Sequence, residues 1–295
     1  LNLRLFALIG LHLIVCGASI SEAHEIVDVT GTHLTFVDHP QRIVTLAPSL
    51  AELAADFLGI DLQRIVGVTE STDYPPALKN VSSVGQYQRL NLEKIISLKP
   101  DLVLATEDGN SKDQIDHLRE VGVPVLVLNT NHFSEIEASM KTVATVLGVS
   151  DQSLITHFEK RIAEFRARGE KRTPKKRVLI ELDDEPLVVA GGRSFLNDAL
   201  QLVGAQNIYA DSDQGYPRPS KEDVSKKDPD VILVPTFGTE KASYMKKAEQ
   251  WLRFPDLKAV KTKNVKVIFG DPLLRPSMRL LEGLAILEKA IYGTS

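Results

Sequence analysis

Cysteine is nearly absent. Cys16 is the only one in the chain, and it lies in an apolar N-terminal stretch. Once that stretch is removed no disulfide can form, so the folded part must be held by its cores. Histidine is sparse and one-sided. His12, His24, His33, His39, His117, His132 and His157 show no i, i+4 pairing, and none follows position 157. That argues against a zinc site shared between two halves. The chain has no G-x-S-x-G elbow, Walker loop or H-E-x-x-H pair, the common marks of α/β hydrolases, P-loop NTPases and zincins. The one dense basic stretch is Lys171-Arg172 with Lys175-Lys176-Arg177, and the net charge is −4, so nucleic acid is not an expected partner.

Long hydrophobic runs are confined to the start. Arg4, the apolar Leu5 to Ala18 and the small-x-small Ser21-Glu22-Ala23 read as an export signal at 1–23, too short to cross a bilayer comfortably. Cleavage near Ala23 is expected; lipidation at Cys16 is the less favoured alternative, because Val15 is bulky where a lipoprotein site has a small residue. What remains is ordinary globular material, 43% hydrophobic and 25% charged in the whole chain.

One piece of text occurs twice. Tyr87-Gln88-Arg89-Leu90-Asn91-Leu92-Glu93 leads through Lys94 to Lys99 into Pro100-Asp101-Leu102-Val103-Leu104. Tyr216-Pro217-Arg218-Pro219-Ser220-Lys221-Glu222 leads through Asp223 to Asp228 into Pro229-Asp230-Val231-Ile232-Leu233. The second copy follows 129 residues after the first, with no gap. Each reads as a short helix, capped by Asn91 or Ser220, that stops before a proline and feeds a buried strand. Two copies so far apart predict two similar lobes.

Around the copies, strand and helix patterns alternate. Arg42 to Leu46 is a buried strand, and Pro48-Ser49-Leu50-Ala51-Glu52 opens a helix with the spacing of a capping box. Ser111 with Gln114, and Ser134 with Glu137, are expected to cap the next helices. From Ser150 to Gly169 a single stripe of Leu154, Ile155, Phe158, Ile162 and Phe165 predicts one long helix. The expected fold is α/β: two Rossmann-like lobes, each with a mainly parallel sheet, joined by that helix. The expected boundaries are 24–149, 150–172 and 173–295. Gly191-Gly192 is expected to be a tight turn rather than a phosphate loop, and Asp183-Asp184-Glu185 a polar loop rather than a metal site.

The ordered set Arg42 to Pro48, Asp73-Tyr74-Pro75-Pro76, Asn91-Leu92-Glu93, Leu98 to Val103, Gly109-Asn110, Ser220-Lys221-Glu222 and Asp271 to Arg275 resembles a known family. These are the periplasmic substrate-binding proteins of ABC importers whose lobes are joined by one helix, carriers of cobalamin, haem and ferric siderophores. Tyr74-Pro75-Pro76 and Gly109-Asn110 are most similar to the cobalamin branch.

The resemblance implies a periplasmic, non-enzymatic receptor, a monomer, that delivers its cargo to an ABC importer permease dimer. No resident cofactor or metal is implied; the metal belongs to the cargo. It implies that Ser49, Tyr87, Thr106, Tyr216, Phe237, Asp271 and Arg275 face the ligand, and that Glu93 and Glu222 dock the permease. Those two glutamates also sit at the second helical position, where a carboxylate stabilises the helix dipole whatever lies above it. Thr106 and Val188 stand where the cobalamin branch has aromatics, and the only tryptophan is Trp251. The tyrosine of the haem branch falls one position earlier, at Gln86, so haem is the second expectation. A ferric siderophore, drawn by Arg89, Arg193, Arg218 and Arg275, stands beside it. The reading from another class is an exported α/β enzyme on a small anionic substrate.

Overall fold

Short apolar runs with no polar alternation are what a parallel sheet covered on both faces requires. The computed structural model, which describes residues 24–237, 241–268 and 271–293, places them that way. The expected leader, Cys16 included, lies outside the described residues.

The N-terminal lobe opens with an antiparallel hairpin, β1 (His24–Val27) and β2 (His33–Phe36). Next come β3 (Ile43–Thr45), α1 (Pro48–Leu58), β4 (Ile65–Val68) and β5 (Ser82–Ser83). A two-stranded ribbon of β6 (Gly85–Gln86) and β7 (Arg89–Leu90) leads to α2 (Leu92–Ser97). Then follow β8 (Leu102–Thr106), α3 (Lys112–Glu120), β9 (Val125–Leu128) and α4 (Phe133–Leu147). The sheet runs β5-β4-β3-β8-β9 with every pairing parallel. Chain order reverses between β3 and β8, so the crevice beyond their C-terminal ends is where such a sheet receives a ligand.

The long helix α5 (Ser153–Gly169) buries Ile155, Phe158, Ile162 and Phe165 along the expected stripe. Phe158 stacks on Phe133 of α4 with ring centroids 6.4 Å apart. At its far end Arg168 and, just beyond it, Arg172 pair with Glu288, at 3.0 and 2.7 Å.

The C-terminal lobe holds β10 (Arg177–Asp184), β11 (Leu187–Val189), α6 (Phe195–Leu202) and β12 (Gln206–Asn207). It continues with α7 (Lys221–Lys227), β13 (Val231–Pro235), α8 (Lys241–Gln250), α9 (Lys258–Lys261), β14 (Val265–Ile268) and α10 (Leu280–Tyr292). The order is β11-β10-β13-β14, with β12 beside the start of β10 and only β11 antiparallel. One apolar core runs through both lobes: Leu50 and Leu104 of the first belong to the same cluster as Phe158 of α5 and Leu233 and Leu284 of the second.

The duplicated text folds the same way twice. Asn91 Oδ1 takes the Lys94 N–H at 2.9 Å, and Ser220 Oγ takes the Asp223 N–H at 3.1 Å. Lys99 and Asp228, at matched positions before the prolines, both adopt left-handed backbone, with φ of 47° and 42°. The aspartate after each proline then bolts the neighbouring strand. Asp101 accepts from the N–H groups of Gln41 and Arg42, both at 2.7 Å, and Asp230 accepts from Arg177 at 2.8 Å.

Three expected caps are corrected. Pro48 takes the first turn of α1 with Ala47 at the cap, so Ser49 and Glu52 lie inside the helix and no capping box forms. His132 caps α4, its N–H donating to Glu135 at 2.9 Å, while Ser134 and Glu137 sit beyond the cap and Glu137 pairs with Lys141. Ser111 is at the cap of α3 but its hydroxyl bonds no helical N–H, and the Gln114 amide reaches the Leu90 carbonyl instead. The spacing of a capping box recurs anywhere in a first turn, so it does not by itself fix where the helix begins.

Candidate functional site

Tyr87 leaves the β6–β7 ribbon at its turn and lies over the C-terminal end of β8. Its Oη is 2.9 Å from Thr106 Oγ1, the last residue of that strand. Gly109 makes the position possible: a Cβ there would stand 1.4 Å from the Tyr87 oxygen. The buried Asn110 ties the arrangement together, its amide donating to the carbonyls of Leu46 (3.0 Å) and Tyr87 (3.1 Å). Its oxygen accepts the Thr106 N–H at 2.9 Å. Gly109-Asn110 thus pins the end of β3, the end of β8 and the tyrosine to one another at the switch point. Burial and the nearby Asp108 push the Tyr87 phenol up to about 12, so it stays protonated at neutral pH.

Tyr216 approaches from the second lobe on the irregular chain before Ser220. It remains 37% exposed, and its phenol is raised by burial, by the charge of Asp108 and by Tyr87. Phe237, 51% exposed after β13, has its backbone N–H bonded to Tyr244 Oη at 3.0 Å. Ser49 is buried in the first turn of α1. Two open depressions flank this region. One, of about 550 Å³, is lined by Glu70, Gln86, Arg89 and Glu93; the other, of about 620 Å³, by Gln214, Tyr216 and Arg218.

Asp271 and Arg275 lie among buried ion pairs. The Arg275 guanidinium is enclosed, 2.8 Å from Glu52, 2.7 Å from Asp73 and paired with Asp271. Burial works against its charge, but the three carboxylates raise it above its ordinary value. Glu52, fully buried on α1, also accepts from Ser277 Oγ at 2.7 Å and from Arg279 at 3.0 Å. The Arg279 guanidinium lies 4.1 Å from the centroid of the Tyr74 ring. Residues of the first lobe (Glu52, Asp73, Tyr74) and of the second (Asp271, Arg275, Ser277, Arg279) thus form one ionic knot.

Comparison with known proteins bears on the family and the fold. The family model described as periplasmic binding protein matches residues 43–272. The chain belongs to the periplasmic binding protein family. A vitamin B12-binding protein of Pectobacterium carotovorum is 32% identical over 199 residues, which cover 66% of this chain and 71% of the relative. Among solved structures, the periplasmic vitamin B12-binding protein BtuF of Vibrio cholerae superposes with a TM-score of 0.73 at 28% identity, covering 85% of this chain and 96% of that one. A periplasmic heme-binding protein from Pseudomonas aeruginosa gives 0.75 at 27%, with 87% and 94% covered.

Within this two-lobed family frame, Glu93 and Glu222 stand exposed in the first turns of α2 and α7. The Glu222 carboxyl is lowered by the backbone N–H at its own position and by Ser220. The remaining candidates resolve as structure. A Cβ on Gly191 or Gly192 would strike the carbonyls of Gln214 or Ala210, so both serve close backbone packing. Asp183 and Asp184 are paired by Lys247, at 2.6 and 3.1 Å. Among the described residues no cluster of three histidine, cysteine, aspartate or glutamate side chains converges to hold a metal. Trp251 is fully buried and donates its indole N–H to Glu181, a carboxyl that burial pushes up to about 7. Sequence reasoning gave Glu52 only a capping position and assigned no site role to Asp108, Asn110 or Arg279. Only Asn110 carried a local signal, a Gly-Asn pair directly after a switch-point strand.

Proposed function

We propose that this chain is an exported, non-catalytic receptor that takes a metal-centred macrocycle, cobalamin first, between its lobes and delivers it to an ABC permease dimer. The observation that carries the reading is Tyr87, held at the switch point by Thr106, Gly109 and Asn110, with a second tyrosine, Tyr216, at the matching position of the other lobe. A large flat ligand offers apolar faces to aromatic walls and polar edges to a few directed groups. Ser49, Thr106 and Phe237 complete the walls, and Asp271 and Arg275 close the floor. Haem stands second, because the tyrosine of the haem branch falls at Gln86 here. Glu93 and Glu222, one exposed carboxylate per lobe, suit a two-fold partner presenting one arginine patch per subunit. The expected unit is a monomer with lobes 24–149 and 173–295 joined through 150–172.

Titration calorimetry with cyanocobalamin, haemin and a panel of ferric siderophores tests the cargo. Saturable heat with cyanocobalamin is expected; silence there beside binding of another ligand rejects cobalamin. Replacing both docking glutamates, Glu93→Ala with Glu222→Ala, is expected to abolish delivery in a reconstituted transport assay while ligand affinity stays as it was. A fall in affinity would place these residues in the cleft instead.

A further inference from the structure

The ladder between β3 and β8 stops one rung early. Thr45 pairs with Leu104 in parallel register, and the Leu46 N–H donates to the Leu104 carbonyl at 2.9 Å. In an evenly spaced parallel ladder the next rung would run from the Thr106 N–H to the Leu46 carbonyl. The Asn110 carboxamide stands in that rung instead. Its oxygen takes the Thr106 N–H at 2.9 Å, and its nitrogen donates to the Leu46 carbonyl at 3.0 Å. Two hydrogen bonds and an amide group thus separate strands that one bond would have joined. No later rung draws them together, because Pro48 has no N–H to offer the Thr106 carbonyl, which accepts from the Asn110 backbone at 3.3 Å. The second amide hydrogen of Asn110 reaches the Tyr87 carbonyl at 3.1 Å and holds the β6–β7 turn over the gap. One side chain therefore serves three separate pieces of chain. Aspartate could not donate, a serine hydroxyl has one hydrogen, and glutamine is one carbon longer.

We propose that Asn110 is the positioning residue of the cleft: spliced into the β3–β8 ladder, its carboxamide opens the crevice at the switch point and seats Tyr87 above it. Asn110 is itself buried, so it acts on affinity through the tyrosine rather than by contact. The inference rests on the reading of this crevice as the cargo site and names what holds it open.

The test is a double-mutant cycle read by calorimetric titration of the full chain with cyanocobalamin. In Asn110→Ala the Thr106 N–H and the Leu46 carbonyl can meet directly, the strands zip, and the Tyr87 carbonyl loses its partner. Affinity is expected to fall about tenfold, the cost of ordering one turn and its side chain on binding. In a Tyr87→Ala background the same change is expected to leave affinity within about twofold, which a general structural defect would not do. Hydrogen exchange without ligand gives the second readout. Peptides spanning 86–90 should exchange about tenfold faster in Asn110→Ala, while those of β3 and β8 keep their wild-type rate. Unchanged affinity, equal losses in both backgrounds, or β3 and β8 opening together with the turn overturns the inference. If cyanocobalamin does not bind the wild type, the cobalamin reading falls and the exchange pattern alone decides the inference. Should Asn110→Ala fail to fold, Asn110→Ser, with one donor for two carbonyls, goes through the same measurements with the same expected outcomes.

Discussion

The two copies of the Tyr-x5-Glu unit share a backbone and differ in how firmly they hold their tyrosines. In the first, the ring lies on Gly109, the hydroxyl meets Thr106, and Asn110 grips the carbonyl. In the second, no hydrogen bond among the described residues holds the Tyr216 hydroxyl, and the ring stays more than a third exposed on irregular chain. A side chain fixed before binding loses little freedom on binding, whereas a loose one must be ordered by the ligand. On the proposed reading, the contrast gives a fixed wall to the first lobe and an adjustable one to the second. The foundations under both units are alike, with the same cap, the same left-handed residue before proline and the same aspartate bolt.

The sharpest way to break the contrast is to unseat Tyr87. Gly109→Val puts a branched side chain where the phenol lies. We expect a loss of ligand affinity of about thirtyfold and a stability cost of about 2 kcal/mol, the range for overpacking. Calorimetric titration and urea unfolding of the variant measure the two, and a variant that binds like wild type would show that the first wall is not preformed. Next come the bolts. Asp101 holds two backbone N–H groups and Asp230 holds one, with Lys258 pairing outside it. Asp101→Ala should cost about 2–3 kcal/mol in urea unfolding and Asp230→Ala about 1–2, from the usual worth of hydrogen bonds to charged groups. An inverted order would mean that the second unit, not the first, is the more firmly founded.

The smallest effect lies outside both units and tests whether the rest of the lobe contact is separable from them. Asp56 on α1 faces Glu52, Arg279 and the backbone of Met278, and burial together with Glu52 pushes its carboxyl up to about 7 from 3.8. The folded protein therefore holds a proton that the unfolded chain has released. Stability from this group is complete below pH 4 and is lost as pH rises through about 7. Asp56→Asn should raise stability by about 1 kcal/mol at pH 8 and leave it unchanged at pH 4. Thermal unfolding at the two pH values decides it, and a gain at pH 4 as well would point to packing rather than charge.

Much of this organisation is legible in the chain. The buried strands, the α5 stripe and the duplicated unit are local patterns, and the chance-resistant register of the repeat persists down to the φ angles of Lys99 and Asp228. What fails is whatever depends on residues distant in sequence. Glu52 has the spacing of a capping acid, and its true partner Arg275 stands 223 positions away. Helix starts slip by one or two residues because Pro48 and His132 open their helices where serine was expected to.

The knot around Glu52 sets a condition on how the receptor is read. Three side chains of one lobe close on a single carboxylate of the other, and the apolar core continues beneath them. The distance between the tips of α2 and α7 is therefore a property of the empty molecule, as the spacing of two pins belongs to a plug. A socket built to that gauge admits the plug whether or not it carries anything. On the proposed docking, empty receptors compete with full ones for the same seats, and throughput depends on the ratio between them as much as on the amount of cargo.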